Sequence, residues 1–147
     1  MTANAARAAV LARALRAGVE GDRATLQEVF TDDVRAWTPA LSTASLGELL
    51  DELDRRDDTF SDIELDLLAL DVGGDYACVE WTAVATPGGM LRTNPGDAQP
   101  TPRVTLHGVT VAEFEGDRIC ALRQYWDELA VLDQLGTLAR EPSGADS

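Results

Sequence analysis

A chain of 147 residues, 45% hydrophobic and 26% charged, suits a single globular domain with a core of its own. Its 26 acidic against 12 basic residues give a net charge of -14, which repels a nucleic-acid backbone or an anionic membrane and sets both aside as partners. Every basic residue is an arginine, which excludes Schiff-base chemistry, a pyridoxal phosphate anchor and a P-loop. A single histidine, His107, excludes clustered histidine metal sites, and Cys78 and Cys120 are too few for a closed zinc site without heavy carboxylate help. No metal and no cofactor are expected. Both cysteines sit in apolar strand patterns, where a buried thiol is the default. No apolar run reads as a leader or a membrane span, which makes the expected location cytoplasmic.

In chain order, the alanine-rich stretch from Thr2 to Val19 places Ala8, Leu11, Ala12, Leu15 and Val19 at helical spacing and stops at Gly21. A second short helix is expected from Arg23 to Phe30. Helices this light in large side chains suit a lid over a sheet. Thr31-Asp32-Asp33 turns the chain into an extended piece, Val34 to Trp37, closed by Pro39, which keeps Thr38 out of helical conformation. Trp37 either faces a pocket or fills the core. Ser45 followed by Glu48 reads as a capping box, and Leu46, Leu49, Leu50 and Leu53 form the stripe of a third helix. Its acids Asp51, Glu52 and Asp54 read as a solvated outer face.

Strands are expected from Ser61 to Leu70 and, after the Gly73-Gly74 turn, from Tyr76 to Thr86. Alternation puts Ala77, Val79, Trp81 and Ala83 on one face, and Cys78, Glu80 and Thr82 on the other. Trp81 is thereby a candidate contact for a ligand, and Glu80 a surface acid or a second buried one. From Pro87 to Pro102, four prolines and three glycines without periodicity predict a long loop placed to cover a pocket mouth. Two more strands follow, Val104 to Phe114 and Arg118 to about Glu128, joined at Gly116-Asp117. The tail after Arg140 is polar and expected to be disordered, leaving residues 1–140 as one domain and 141–147 outside it.

Strict alternation along the last strand puts Ile119, Ala121, Arg123, Tyr125 and Asp127 on one face. That face begins apolar and ends in an arginine, a phenol and a carboxylate, like the wall of a small-molecule pocket. A carboxylate placed there, beside Trp126 and apolar walls, would be poorly solvated and suited to proton transfer. Asp127 also precedes Glu128-Leu129-Ala130-Val131, where it would cap a helix, and Arg123 has the alternative of an ion pair with an acid on the neighbouring strand or with Asp127 itself.

The run Arg123-Gln124-Tyr125-Trp126-Asp127, with Leu132-Asp133-Gln134-Leu135-Gly136 after it, resembles the C-terminal signature of SnoaL-like polyketide cyclases, a branch of the nuclear-transport-factor-2-like superfamily. The resemblance implies an α+β fold: a cone-shaped, curved antiparallel sheet packed on N-terminal helices, commonly dimerised through the outer sheet face. It further implies cofactor-free acid/base chemistry on a hydrophobic small molecule, of the intramolecular aldol or isomerase type. In that scheme Asp127 is the general acid/base and His107 a proton partner, while Arg123 and Tyr125, with Trp37 and Trp81, contact the substrate. The chain departs from the family at Ala85-Thr86-Pro87-Gly88-Gly89, where a Gly-Thr-His-x-Gly segment is often found. Two alternatives stay open: an epoxide hydrolase, with Glu80 or Asp33 completing an acid–arginine–acid set, and a ligand-binding or assembly domain without catalysis.

Overall fold

The computed structural model describes residues 3–39, 41–55, 60–87 and 103–134. Its elements are α1 (Ala3–Glu20), α2 (Arg23–Val29), β1 (Phe30–Thr38), β2 (Leu41–Thr43), α3 (Leu46–Leu53), β3 (Phe60–Gly73), β4 (Tyr76–Pro87), β5 (Val104–Glu115), β6 (Arg118–Trp126) and α4 (Glu128–Gln134). The tail 141–147, and residues 88–102 of the expected loop, lie outside the described residues.

The helix boundaries follow from local chemistry. Gly21, at φ 75°, turns the chain out of α1, and Asp22 caps α2 by accepting from the Thr25 N–H. Ser45 accepts from the Glu48 N–H at 3.2 Å, so the cap anticipated at the start of α3 forms, and the Glu48 carboxylate closes on the residue before it, accepting from the Ala44 N–H at 2.8 Å. Arg7 of α1 donates to the carbonyls of Gly74 and Gly116 at 2.6 and 2.9 Å, and lies over the Phe114 ring. One guanidinium thus pins the first helix to the β3–β4 and β5–β6 turns.

The six strands form one sheet in the order β2-β1-β6-β5-β4-β3. The long strands β3 to β6 pair antiparallel as expected, but β1 runs parallel to β6 and folds back on the short β2, neither of which local patterning revealed. Register shifts interrupt the β1–β6, β3–β4 and β5–β6 ladders. Each inserts residues into one strand, which bends it and raises its twist, and together they curve the sheet into an open cone. The core fills the concave side, with Leu11 from α1, Leu26 and Val29 from α2, Leu46, Leu49 and Leu50 from α3, and Val34, Val79, Val104 and Ile119 from the sheet.

The shift in β6 overturns the expected facing of its residues. Phe114 pairs with Ile119 across the tight turn, but Glu113 pairs with Ala121, so Cys120 is left over as a bulge. Beyond it the alternation is inverted. Leu122, Gln124 and Trp126 point into the cone, and Ala121, Arg123 and Tyr125 lie on its outer face. Both cysteines are free thiols, as expected, but they are not buried in the core: Cys78 is exposed and Cys120 is half-buried on the outer side. Burial, reinforced by the carboxylates of Glu115 and Glu113, pushes the Cys120 thiol pKa up and holds it protonated. Among the described residues, no helix is long and apolar enough to cross a membrane.

Candidate functional site

Between the concave face of the sheet and helices α1 to α3 lies a cavity of about 270 Å3. Small side chains create it. Ala36 on β1 and Ala83 and Ala85 on β4 stand where larger residues would fill the space, while Leu15, Leu26, Phe30, Ile63 and Leu106 supply an apolar wall. Trp81 and Trp126 close one side. They flank Gly108 in register, Trp81 from β4 and Trp126 from β6, and a Cβ at 108 would run into the Trp81 ring and come 2.6 Å from the Tyr125 carbonyl. The Trp81 indole N–H donates to the buried Thr110 hydroxyl at 2.9 Å, which fixes the ring.

Polar groups on this wall are few. Thr38 accepts from the Leu41 N–H at 3.1 Å, which serves the β1–β2 turn. Gln124, partly buried, makes no side-chain hydrogen bond among the described residues, so its amide offers a donor and an acceptor inside an apolar hollow. Glu52 and Arg55 are the charged lining groups among the described residues, and they pair at 2.6 Å. The expectation that Glu52 belongs to a solvated outer face holds only in part. It stands three residues after Leu49 and beside Leu53, and all three line the cavity, so Glu52 flanks the leucine stripe at the cavity's rim, its side chain 38% exposed, while Asp51 and Asp54 are exposed.

Of the residues expected at the site, the structure brings Trp81 to the cavity. Asp127 is exposed, does not line the cavity, and accepts from the Ala130 N–H at 3.0 Å, which makes it the cap of α4. Arg123 points outward and pairs with Glu113 on β5; that hydrogen bond raises its already high pKa and keeps the guanidinium charged. Tyr125 packs outside against Trp37, ring centroids 5.2 Å apart, with the two rings 46% and 42% exposed. His107 is exposed, in register with Thr82, and Glu80 and Asp33 are exposed as well. The common reason for Arg123, Tyr125 and Asp127 is the Cys120 bulge. Its trace in the sequence is the unbroken apolar run Ile119-Cys120-Ala121-Leu122, longer than strict alternation on a half-exposed strand allows.

Gln134, within the C-terminal signature, has a structural task. Its amide oxygen accepts from the Thr105 N–H and its amide nitrogen donates to the Thr105 carbonyl, both at 2.7 Å, clamping α4 to β5 as a neighbouring strand would. Among the described residues, no three His, Cys, Asp or Glu side chains converge to hold a metal ion.

A curved, unclosed sheet wrapped around helices over an interior hollow defines an α+β cone of the nuclear-transport-factor-2-like class. The chain belongs to the SnoaL-like domain family, whose model matches residues 11–122. Solved structures with the same fold include an LEH-like epoxide hydrolase from M. tuberculosis, at 17% identity and a TM-score of 0.72 over 94% of this chain and 96% of that one. A candidate SnoaL-like polyketide cyclase from Jannaschia sp. CCS1 is 15% identical with a TM-score of 0.76 over 97% of each chain. IdmH from Streptomyces antibioticus, a candidate polyketide cyclase, is 18% identical with a TM-score of 0.73 over 88% of this chain and 98% of that one. No curated protein matches the chain.

Proposed function

We propose that this protein takes up a compact, largely apolar small molecule in the cone and orients it by one hydrogen-bonding oxygen on the Gln124 amide. The observation that carries the reading is the Gln124 amide, which makes no side-chain hydrogen bond among the described residues, on a largely apolar wall. A polar group half-shielded from water and free of protein partners among the described residues is one that a ligand carbonyl or hydroxyl can engage. The neighbouring polyketide cyclases and epoxide hydrolase favour a ligand of this kind. Ligand uptake is supported over the hydrolase alternative, because Glu52 is the one carboxylate lining the cavity among the described residues and a hydrolase set needs two.

Trp81 and Trp126 in the wall make the test direct, since a ligand beside them changes their fluorescence. β-Tetralone, a bicyclic ketone, is expected to quench it saturably. In Gln124→Leu its affinity should fall about 3- to 10-fold, the worth of one net hydrogen bond, while tetralin, the same skeleton without oxygen, binds both proteins alike. Equal loss for ketone and hydrocarbon would show that Gln124 shapes the cavity and does not read the oxygen.

We propose also that two copies pair through the outer face, as the family resemblance implies. The supporting observation is the exposed Trp37–Tyr125 pair, next to the half-buried Val109 and Val111. Sedimentation should find a dimer, and a monomer for Tyr125→Arg; a monomeric wild type would sink the proposal.

A further inference from the structure

We propose that the outer side of β1 carries a second binding site, a cleft in which Arg35 takes the carboxylate of a small aromatic acid. Alternation along β1 buries Val34 and Ala36, so Arg35 and Trp37 stand on the opposite side, both exposed. Trp37 is in register with Ser42 on β2 and with Arg123 on β6, and Arg35 with Ala121. The short side chains of Ala44 and Ala121 leave room between them. The result is a cleft of about 360 Å3 beside the first turn of α3, opening on the side of the sheet away from the hollow.

Two independent features of this cleft point to an anion. Every other arginine among the described residues donates to a carboxylate or carbonyl oxygen of the protein, whereas Arg35 makes no hydrogen bond and no ion pair among them. In a chain of 26 acidic and 12 basic residues, a guanidinium that meets no acid is the exception. Thr43 lines the same cleft, is 8% exposed, and has a hydroxyl without a hydrogen-bond partner, which an oxyanion would satisfy. The charged groups lining the cleft are Arg35, Arg123 and Glu48. Arg123 is held by Glu113 and Glu48 accepts from the Ala44 N–H, so Arg35 is the charge left to bind. Its planar fork matches the two oxygens of a carboxylate. A net charge of -14 raises the cost of each further negative charge, which favours a monoanionic carboxylate over a dianionic phosphate. Trp37, lining the cleft beside Arg35, offers a flat apolar surface to an aromatic body.

The experiment is calorimetric titration with 2-naphthoate and with its neutral analogue 2-naphthamide. The acid should bind the wild type more tightly than the amide. It should bind Ala83→Phe as it binds the wild type, because a phenyl ring at 83 fills the hollow inside the cone and leaves the cleft open. Arg35→Gln should lower the affinity for 2-naphthoate about 10- to 100-fold, the worth of a hydrogen bond to a charged group, and leave that for the amide unchanged. Arg35→Lys, which keeps the charge and loses the fork, should retain part of it. Thr43→Val should cost about 3- to 10-fold, one net hydrogen bond. Wild-type affinity for the acid in Arg35→Gln overturns the site, and so does binding lost in Ala83→Phe, which would put the acid inside the cone. Absence of 2-naphthoate binding to the wild type overturns it as well. A sedimenting dimer that Arg35→Gln then converts to a monomer would assign the guanidinium to a carboxylate of a second copy.

Discussion

Gly108→Ala is expected to lower unfolding stability by about 1–3 kcal/mol, the usual cost of forcing atoms into a packed interior, and to abolish saturable quenching by β-tetralone. The position has a tryptophan on either side in register, Trp81 and Trp126, and the added methyl would meet the Trp81 ring and the Tyr125 carbonyl. The backbone carbonyl is held in the β5–β6 ladder, so the ring is what moves. Tilting it pulls the indole N–H off Thr110, whose buried hydroxyl then loses its donor. Where total stability is about 5–15 kcal/mol, a loss of this size is plain in a urea titration. An unchanged midpoint with intact quenching would mean that neither tryptophan is fixed where the structure has it.

The second large effect is expected from Ala83→Phe. Ala83 is buried on β4, in register with Leu65 and Leu106, and all three line the cavity. A phenyl ring there occupies the space a ligand needs, so affinity for β-tetralone should fall about 100-fold or more, equivalent to about 3 kcal/mol. Stability should hold or rise, because the ring fills a hollow instead of displacing packed atoms. Binding that survives Ala83→Phe would place the ligand outside the cone. The two substitutions separate cleanly: one removes binding by breaking the wall, the other by filling the space with the wall intact.

Much of the fold is written locally. The Ser45–Glu48 cap, the Gly116 turn at φ 65° and the alternation of Ala77, Val79, Trp81 and Ala83 depend on residues one to four positions apart, or on a backbone angle that glycine accepts. The same locality makes Glu80 a surface residue, since it is even-numbered in a strand whose odd-numbered residues pack inward. Which side chains face the cavity was legible only where alternation stayed unbroken, as it did around Trp81. The place of Glu52 at the cavity's rim was hidden by its company: between Asp51 and Asp54 an acid looks solvated, and only the placement of α3 over the sheet separates the three. Trp37 and Tyr125 were hidden differently, because an aromatic residue near a candidate pocket gives no sign of which side of the sheet it occupies.

By itself the sequence determined the chemistry available and the class of the fold: no lysine, one histidine, a surplus of acids, a C-terminal signature, and strands and helices in an order that makes an α+β cone. What the tertiary structure decided is which side chains face the hollow. The pairing of β1 with β6 joins residues about 90 positions apart, and the Cys120 bulge is settled by matching β6 to β5 over its whole length. A single extra residue in a strand of period two exchanges inside for outside, so Asp127, Arg123 and Tyr125 went to the surface and Gln124 and Trp126 to the interior.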